Sequence, residues 1–569
     1  MIRKWLAATL VICGLVPGLL GTQVARADDE ATGAQLLPKD TLLFFTVPSV
    51  PDSVKDFDRS VTGAMFRDPE LKPFLDDVRA KIDELSEKLQ EDVGVSIHEL
   101  LAIPKGEFTF ALVERPVGKL APVLIVDYGD NKETIDKLLK KMHDELEGES
   151  AEHYSTQDVQ DVTVHVYALK DQDERNPFKS VAYFNDDSCL VFSTEVDALK
   201  EVLDRWEGDS SDTLANDEVY KYVQERCKDE AGDPSVVWFL SPIGLIKSGL
   251  NMAASVNPQA GMAAIFLPTL GLDKLKGWGG AGYYGAGEFD AVSRTFVYAE
   301  QPTGVLNVFQ FPAVDLAPPK WVPADTSMYF SGNWNLKQAY QAVETMVDGV
   351  YGRGFTGKQL DKVADSEDGP GIHLKKDLLD LLDGKFHLVQ SAETDEDETE
   401  ELLLLAFDVN DEAKTKKLLA KAAKSEGADI ETRDFNGETI YEVNANDQTI
   451  SMAVASGHLV FTNDTVALEG MLRSVTRASL VDSAAYRMIA KKFPPKLSML
   501  SYSKSDTQIK AGYDLLKNAD NAEFLDGIDL EKLPPFEVIQ KYLRPSGSYA
   551  VPDPKGALFV GFQLREGDN

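Results

Sequence analysis

Leu36-Leu37-Pro38-Lys39-Asp40-Thr41-Leu42-Leu43-Phe44-Phe45 and, 285 residues later, Trp321-Val322-Pro323-Ala324-Asp325-Thr326-Ser327-Met328-Tyr329-Phe330 are one phrase written twice. Each reads Pro-x-Asp-Thr and then an apolar run. Proline fixes φ and aspartate offers an acceptor to nearby backbone N–H groups, so each is a turn that feeds a strand. Working outward, further landmarks recur in the same order. Phe108 matches Phe386, behind the turns Lys105-Gly106 and Asp383-Gly384. Asp127 matches Asp408 at a strand end, and Asp130 and Asn410 then cap similar helices. Leu190-Val191-Phe192 matches Leu459-Val460-Phe461, Leu214 and Tyr220 match Leu480 and Tyr486, and Tyr283 aligns with Tyr549. The spacing falls from 285 to 266 residues along the chain, as short deletions in surface loops would cause. The expected organisation is a first α+β repeat over 28–311, a proline-rich linker over 312–320 and a second α+β repeat over 321–569. A period of domain size means a tandem pair and not a solenoid.

Within the first repeat, Leu71, Phe74, Leu75, Val78, Ile82, Leu85 and Leu89 recur at steps of three and four and predict an amphipathic helix. Glu107–Val113 and Val162–Tyr167 alternate as strands, and Val123–Val126 is a buried-type strand. Ser180–Phe184 and Leu190–Ser193 predict a hairpin, and helices follow Thr194 and Asp217. The fold class expected is α+β: two tandem copies of a mainly antiparallel sheet, seven or eight strands each, with helices packed on one face. Leu306–Phe311 is expected as a strand and the acidic run Ser391–Glu401 as a solvated loop.

The chain has 569 residues, 43% of them hydrophobic and 27% charged, and a formal net charge of −36. Such a field repels nucleic acid and favours solubility. Residues 1–27 read as a signal peptide: Arg3 and Lys4, an uncharged run from Trp5 to Leu20, then Ala25-Arg26-Ala27 before Asp28. Its removal takes away three positive charges and leaves −39. No later segment is apolar enough to span a bilayer. Export to the periplasm or envelope of a bacterium, or secretion, is therefore expected. Cys189 and Cys227 are then the remaining cysteines, and the second copy has His458 and Phe493 at their places. A disulfide between them and two separate buried thiols are the two readings.

No motif carries chemistry. Gly280-Ala281-Gly282-Tyr283-Tyr284-Gly285 has glycine spacing for a dinucleotide loop, but the sequence around it reads as strand and not as a helix start. His98-Glu99-Leu100-Leu101-Ala102 lacks the second histidine of a zinc helix, and His143, His153, His165, His373, His387 and His458 show no paired spacing. Neither catalytic nor cofactor-binding nor metal residues are assigned. Asp171–Glu174 and Thr394–Asp397 could attract Ca²⁺ weakly. The copies differ most at Asn251–Leu272, 22 residues without a charge. Exposed, this stretch would be a partner or lipid surface around Met252, Met262, Phe266 and Leu267. Burial between the copies is the favoured reading.

The doubled Pro-x-Asp-Thr entry, the junction Phe311-Pro312 to Pro318-Pro319-Lys320-Trp321-Val322-Pro323 and the ending Pro545-Ser546-Gly547-Ser548-Tyr549-Ala550 carry a resemblance. They resemble a group of large exported bacterial proteins known only as a domain of unknown function. The resemblance covers most of the mature chain and implies an exported, duplicated α+β protein with no catalytic residues to carry over. The function expected is that of a non-catalytic binding or scaffold protein of the envelope, with an unknown protein or apolar ligand held between the repeats. The alternative is a lipid or membrane-surface protein using 251–272. A hydrolase whose residues meet only in space is third.

Overall fold

The computed structural model describes residues 31–565 apart from 94–95, 117–118, 148–150, 171–177, 207–209, 231, 255–256, 286, 366–370, 396–397, 425–429, 446–447, 474–477, 505 and 518–527. The expected leader, 1–27, and the acidic run 171–174 lie outside the described residues, as does part of 394–397.

The two quoted phrases make the same turn. Thr41 and Thr326 each donate their hydroxyl to the carbonyl of the proline three residues back, Pro38 at 2.6 Å and Pro323 at 2.7 Å. The residue before each proline, Leu37 or Val322, is fully buried and accepts from the N–H of Leu214 or Leu480. Each turn launches a strand, β1 (Thr41–Val47) in the first half and β11 (Met328–Asn333) in the second.

The first half continues with β2 (Phe108–Arg115), β3 (Lys119–Asp127), β4 (Ala151–Val159), β5 (Val162–Leu169), β6 (Ser180–Asp186), β7 (Cys189–Ser193), β8 (Val236–Leu240), β9 (Leu275–Tyr284) and β10 (Phe289–Ala299). The second continues with β12 (Leu382–Asp395), β13 (Glu398–Val409), β14 (Glu431–Phe435), β15 (Glu438–Ala445), β16 (Gln448–Ala455), β17 (His458–Thr462), β18 (Met499–Ser503), β19 (Ser546–Asp553) and β20 (Gly556–Leu564). Every pairing is antiparallel. The order across the sheet is β4-β5-β6-β7-β3-β2-β1-β8-β9-β10, then β20-β19-β18-β11-β12-β13-β17-β16-β15-β14. Each pairing in the first half has its counterpart in the second, and β10 joins β20 at the middle.

The seam is self-complementary. Phe296 faces Leu558, Arg294 faces Val560 and Val292 faces Phe562. Phe296 and Phe562 hold equivalent places, each opposite a glycine of the preceding strand, Gly279 and Gly547. Exchanging the halves leaves this ladder unchanged, so a local two-fold axis passes through the Arg294–Val560 pair. The same registers place Ala281, not Tyr283, opposite the role of Tyr549. The sequence alignment slipped there by two residues, a shift that keeps each side chain on its face and so leaves the apolar pattern intact.

Helices cover both faces. Val196–Leu203 and Glu218–Cys227 lie over a core that holds Phe44, Val123, Ile125 and Phe239 and runs on across the seam to Val560, Phe562 and Tyr502. Asp217 and its counterpart Ser483 each cap the equivalent helix, accepting from Tyr220 N–H and Tyr486 N–H. Val50–Arg59 and Lys132–Glu145 cover the opposite face of the first half over Phe108, Val126 and Tyr167. Several expected details differ: each half has ten strands among the described residues and not seven or eight, because polar strands such as β4 carry no apolar alternation, and helices pack on both faces and not one. Gly304–Phe309 is a 3₁₀ helix and not a strand, held by Trp334 Nε1–H donating to the Val308 carbonyl at 2.7 Å. The acidic run at 391–401 is a hairpin extension, with β12 reaching Asp395 and β13 starting at Glu398.

Candidate functional site

Two places stand out, one on each face of the sheet. The first lies at the seam. A single row of paired residues crosses six strands: Val236, Gly282, Ser293, Gly561, Ser548 and Ser501. Glycine and serine leave little above the backbone, so the row forms a trough of about 600 Å³. Trp238, Thr295, Tyr284 and Gln563 stand beside it, and the Tyr284 ring meets Phe57 edge-on at 6.3 Å. None of its lining residues is Asp, Glu, His, Lys, Arg or Cys. Both halves contribute to it. The glycine-rich stretch 280–285 is thus strand and trough floor, with strands on both sides and no helix start for a phosphate.

The second place is on the other face, in the second half. His387 on β12, Asp408 on β13 and His458 on β17 converge. The Nε2 atoms of His387 and His458 lie 3.0 and 3.1 Å from Asp408 Oδ1. His387 Nδ1 meets the Tyr329 hydroxyl at 2.7 Å and Ser331 Oγ at 3.2 Å. His458 Nδ1 lies 2.7 Å from the Ser456 carbonyl oxygen. The Trp321 ring covers the group edge-on, its centroid 5.3 Å from that of His458 and 6.1 Å from that of His387. Burial pushes the Asp408 carboxyl up, but hydrogen bonds from the two histidines outweigh it and hold the group well below the usual carboxylate range. Burial lowers His387, against the opposing pull of Asp408. Together these describe an ionised carboxylate beside a neutral His387.

Ser331, His387 and Asp408 form a hydroxyl–imidazole–carboxylate chain, the ingredients of nucleophilic catalysis. Ser331 and Tyr329 are fully buried, so no substrate carbonyl reaches the hydroxyl. The first half buries a different polar knot at the same crossing. There Thr46 and Thr109, the counterparts of Ser331 and His387, both donate to Glu107 Oε1, at 2.9 and 2.7 Å. Asp127 corresponds to Asp408 and Cys189 to His458, since each pair faces across the matching ladder.

Sequence reading placed Asp408 and His458 at matched positions but did not bring them together. The signal was present: Asp408 ends one strand, His458 begins another, and Asp127 and Cys189 do the same in the first copy. The link needed was the pairing of β13 with β17, a contact between strands distant in sequence.

The other expected residues fall out as follows. Cys189 and Cys227 form no disulfide. Cys189 opens β7, whereas Cys227 is buried at a helix end with its thiol toward the Gly279 carbonyl at 3.8 Å. The described residues of the uncharged stretch 251–272 are not buried between the halves. Met262, Ile265 and Phe266 are 60%, 71% and 59% exposed and Met252 is 46% exposed, while Leu267 alone of the four named residues is buried. Met262 and Phe266 sit on the short helices Pro258–Ala263 and Phe266–Thr269. No helix among the described residues is long and apolar enough to cross a membrane.

No curated protein and no solved structure matches the chain. Residues 375–532 match the family described as Protein of unknown function (DUF3352). The matched segment spans the strands that carry His387, Asp408 and His458. The second half of this chain therefore contains a DUF3352 domain.

Proposed function

We propose that this chain is a non-catalytic binding protein of the bacterial envelope, built as two copies of one module, whose ligand or partner lies in the trough across their seam. The trough itself carries the reading. It is open, both halves line it, and it offers hydroxyls, amides and aromatic rings without a carboxylate, imidazole, amine, guanidinium or thiol. Such a lining suits an uncharged partner surface or ligand and places no carboxylate or imidazole beside its serines. The Arg3-Lys4 start, apolar run and Ala25-Arg26-Ala27 support the location.

Gly282→Trp tests it. A Cβ at Gly282 meets nothing within 4 Å, so the indole fills the trough without displacing the sheet. The parent protein should crosslink to a defined species in envelope extract, and the variant, equally stable, should lose it. Equal capture by both would defeat the proposal.

A second reading has its own observation. Met252, Met262, Ile265 and Phe266 form an exposed apolar ridge, as a protein that rests on a lipid surface would need. Flotation with liposomes, with and without Ca²⁺, separates the two. Lipid binding that Phe266→Ser abolishes and Gly282→Trp leaves intact would favour the ridge.

A further inference from the structure

We infer that His387, Asp408 and His458 form a binding site for a divalent transition-metal ion of the zinc class. The three donor atoms come from three strands of one sheet and lie within 4.8 Å of one another. Two imidazole nitrogens and one carboxylate oxygen are a borderline-soft donor set that suits Zn²⁺ and disfavours Mg²⁺ and Ca²⁺. Bonds of about 2.0–2.1 Å to a tetrahedral ion place neighbouring donors about 3.3 Å apart. The two distances to Asp408, 3.0 and 3.1 Å, need only a few tenths of an ångström of spreading, and the two histidine nitrogens lie within 4.8 Å of each other. Three protein donors leave the fourth position for solvent, on the side where the Asp408 side chain is 26% exposed.

The hydrogen-bond directions make the stronger case. The Ser456 carbonyl can only accept, so His458 Nδ1 carries a proton. A second ring proton, on Nε2, would donate to the carboxylate oxygen 3.1 Å away; where that proton leaves, Nε2 offers a lone pair in the same place. A cation bridges the two atoms in either case, the proton of an ion pair or a metal ion in its place. His387 is prepared in the same way. Its Nδ1 can donate to the Tyr329 oxygen, whose own hydroxyl lies 3.5 Å from the Ala317 carbonyl, which frees Nε2 for a metal. An imidazole whose outer nitrogen is engaged by a carbonyl or hydroxyl is the arrangement that fixes ring orientation in metal sites. The donors are specific to one half: the matching crossing has Thr109, Asp127 and Cys189. The site lies on the opposite face from the trough, because Ser331 faces Leu500 whereas the trough uses Ser501. It does not depend on what the trough binds.

The rival account is a simple ion pair in which a second proton on His458 takes the cation's place. Calorimetry with Zn²⁺ and visible absorption with Co²⁺, on the chelator-treated full chain near neutral pH, distinguish the two. One ion per chain is expected. Asp408→Asn and His458→Ala should each weaken binding by at least about tenfold, the smaller loss seen when even an outer partner of a ligand is removed. His458→Cys restores a ligand, so it should bind the ion and give its Co²⁺ complex a new sulfur-to-metal absorption band. An ion pair gains nothing from a thiol, so this variant reports on coordination. Far-ultraviolet circular dichroism confirms that His458→Ala and His458→Cys are equally folded. No stoichiometric binding by the parent, or binding that both losses leave unchanged, overturns the inference.

Discussion

Replacing Gly547 by alanine tests the packing at the seam directly. A Cβ at this position points at the helix Ala484–Ala490 and stands 2.5 Å from Ile489 Cγ2 and 2.8 Å from Phe562 Cζ. Carbon atoms rest at about 3.5–4.0 Å, so each neighbour must retreat by about 1 Å. Neither has room, for Ile489 is fully buried and Phe562 is 5% exposed. Overpacking of this kind costs about 1–3 kcal/mol. Loss of glycine freedom in the unfolded chain returns about 0.4–1 kcal/mol. The net expectation is a destabilisation of about 1–2 kcal/mol, read as a lower urea midpoint by tryptophan fluorescence and circular dichroism alike. Ile489→Ala alone should cost about 2–5 kcal/mol, but it removes the clashing methyl. In the double variant the two losses should fall short of additivity by about 1 kcal/mol or more. The counterpart Gly279→Ala meets Val223 Cγ1 and the Trp238 carbonyl oxygen, both at 2.8 Å. A carbonyl locked in a ladder cannot retreat, so Val223→Ala should rescue this variant only in part. If Gly547→Ala were as stable as the parent or more so, as strand propensity alone requires, the seam as described would be wrong.

Two further outcomes are expected. Burial pushes the Cys227 thiol up to about 12, so alkylation of the native protein at about pH 8 should leave Cys227 unmodified, with labelling appearing only in denaturant. A Cys189–Cys227 crosslinked peptide under non-reducing conditions would contradict the structure. Burial above all pushes Tyr183 and Tyr502 up to about 12. Unfolded phenols ionise near about pH 10, so these two contribute stability fully below that pH and lose it as pH rises toward 12. Urea midpoints taken from about pH 8 to 11 should hold and then fall, and a flat profile would show that these side chains are not buried as described.

Much of the architecture was legible because it depends on local chemistry. The Pro-x-Asp-Thr phrases announced two equivalent turns, although the threonine hydroxyls, not the aspartates, make the bond to proline. The hairpin β6–β7, the buried strand in β3 and the helix after Asp217 follow from alternation and capping. What escaped had no local signature. Strand β4 is mostly exposed and polar, so no apolar alternation marks it. Helices on the second face follow from β3 burying alternate residues on both sides, Ile125 toward one core and Val126 toward the other. An uncharged run such as 251–272 reads the same whether it faces solvent or core. The histidine–aspartate group required a pairing between β13 and β17, which no spacing along the chain encodes.

The seam has a consequence for the making of the molecule. Arg294 and its partner Val560 are 266 residues apart, which at about 5–20 residues per second is roughly 13–50 s of synthesis. Throughout that interval the earlier strand presents a bare edge bearing Phe296 and Tyr298. Because the ladder it awaits is symmetric, that edge is a near match for its own kind, and two unfinished chains side by side can zip together in place of the proper closure. Nascent copies must therefore be kept apart until the last strand arrives.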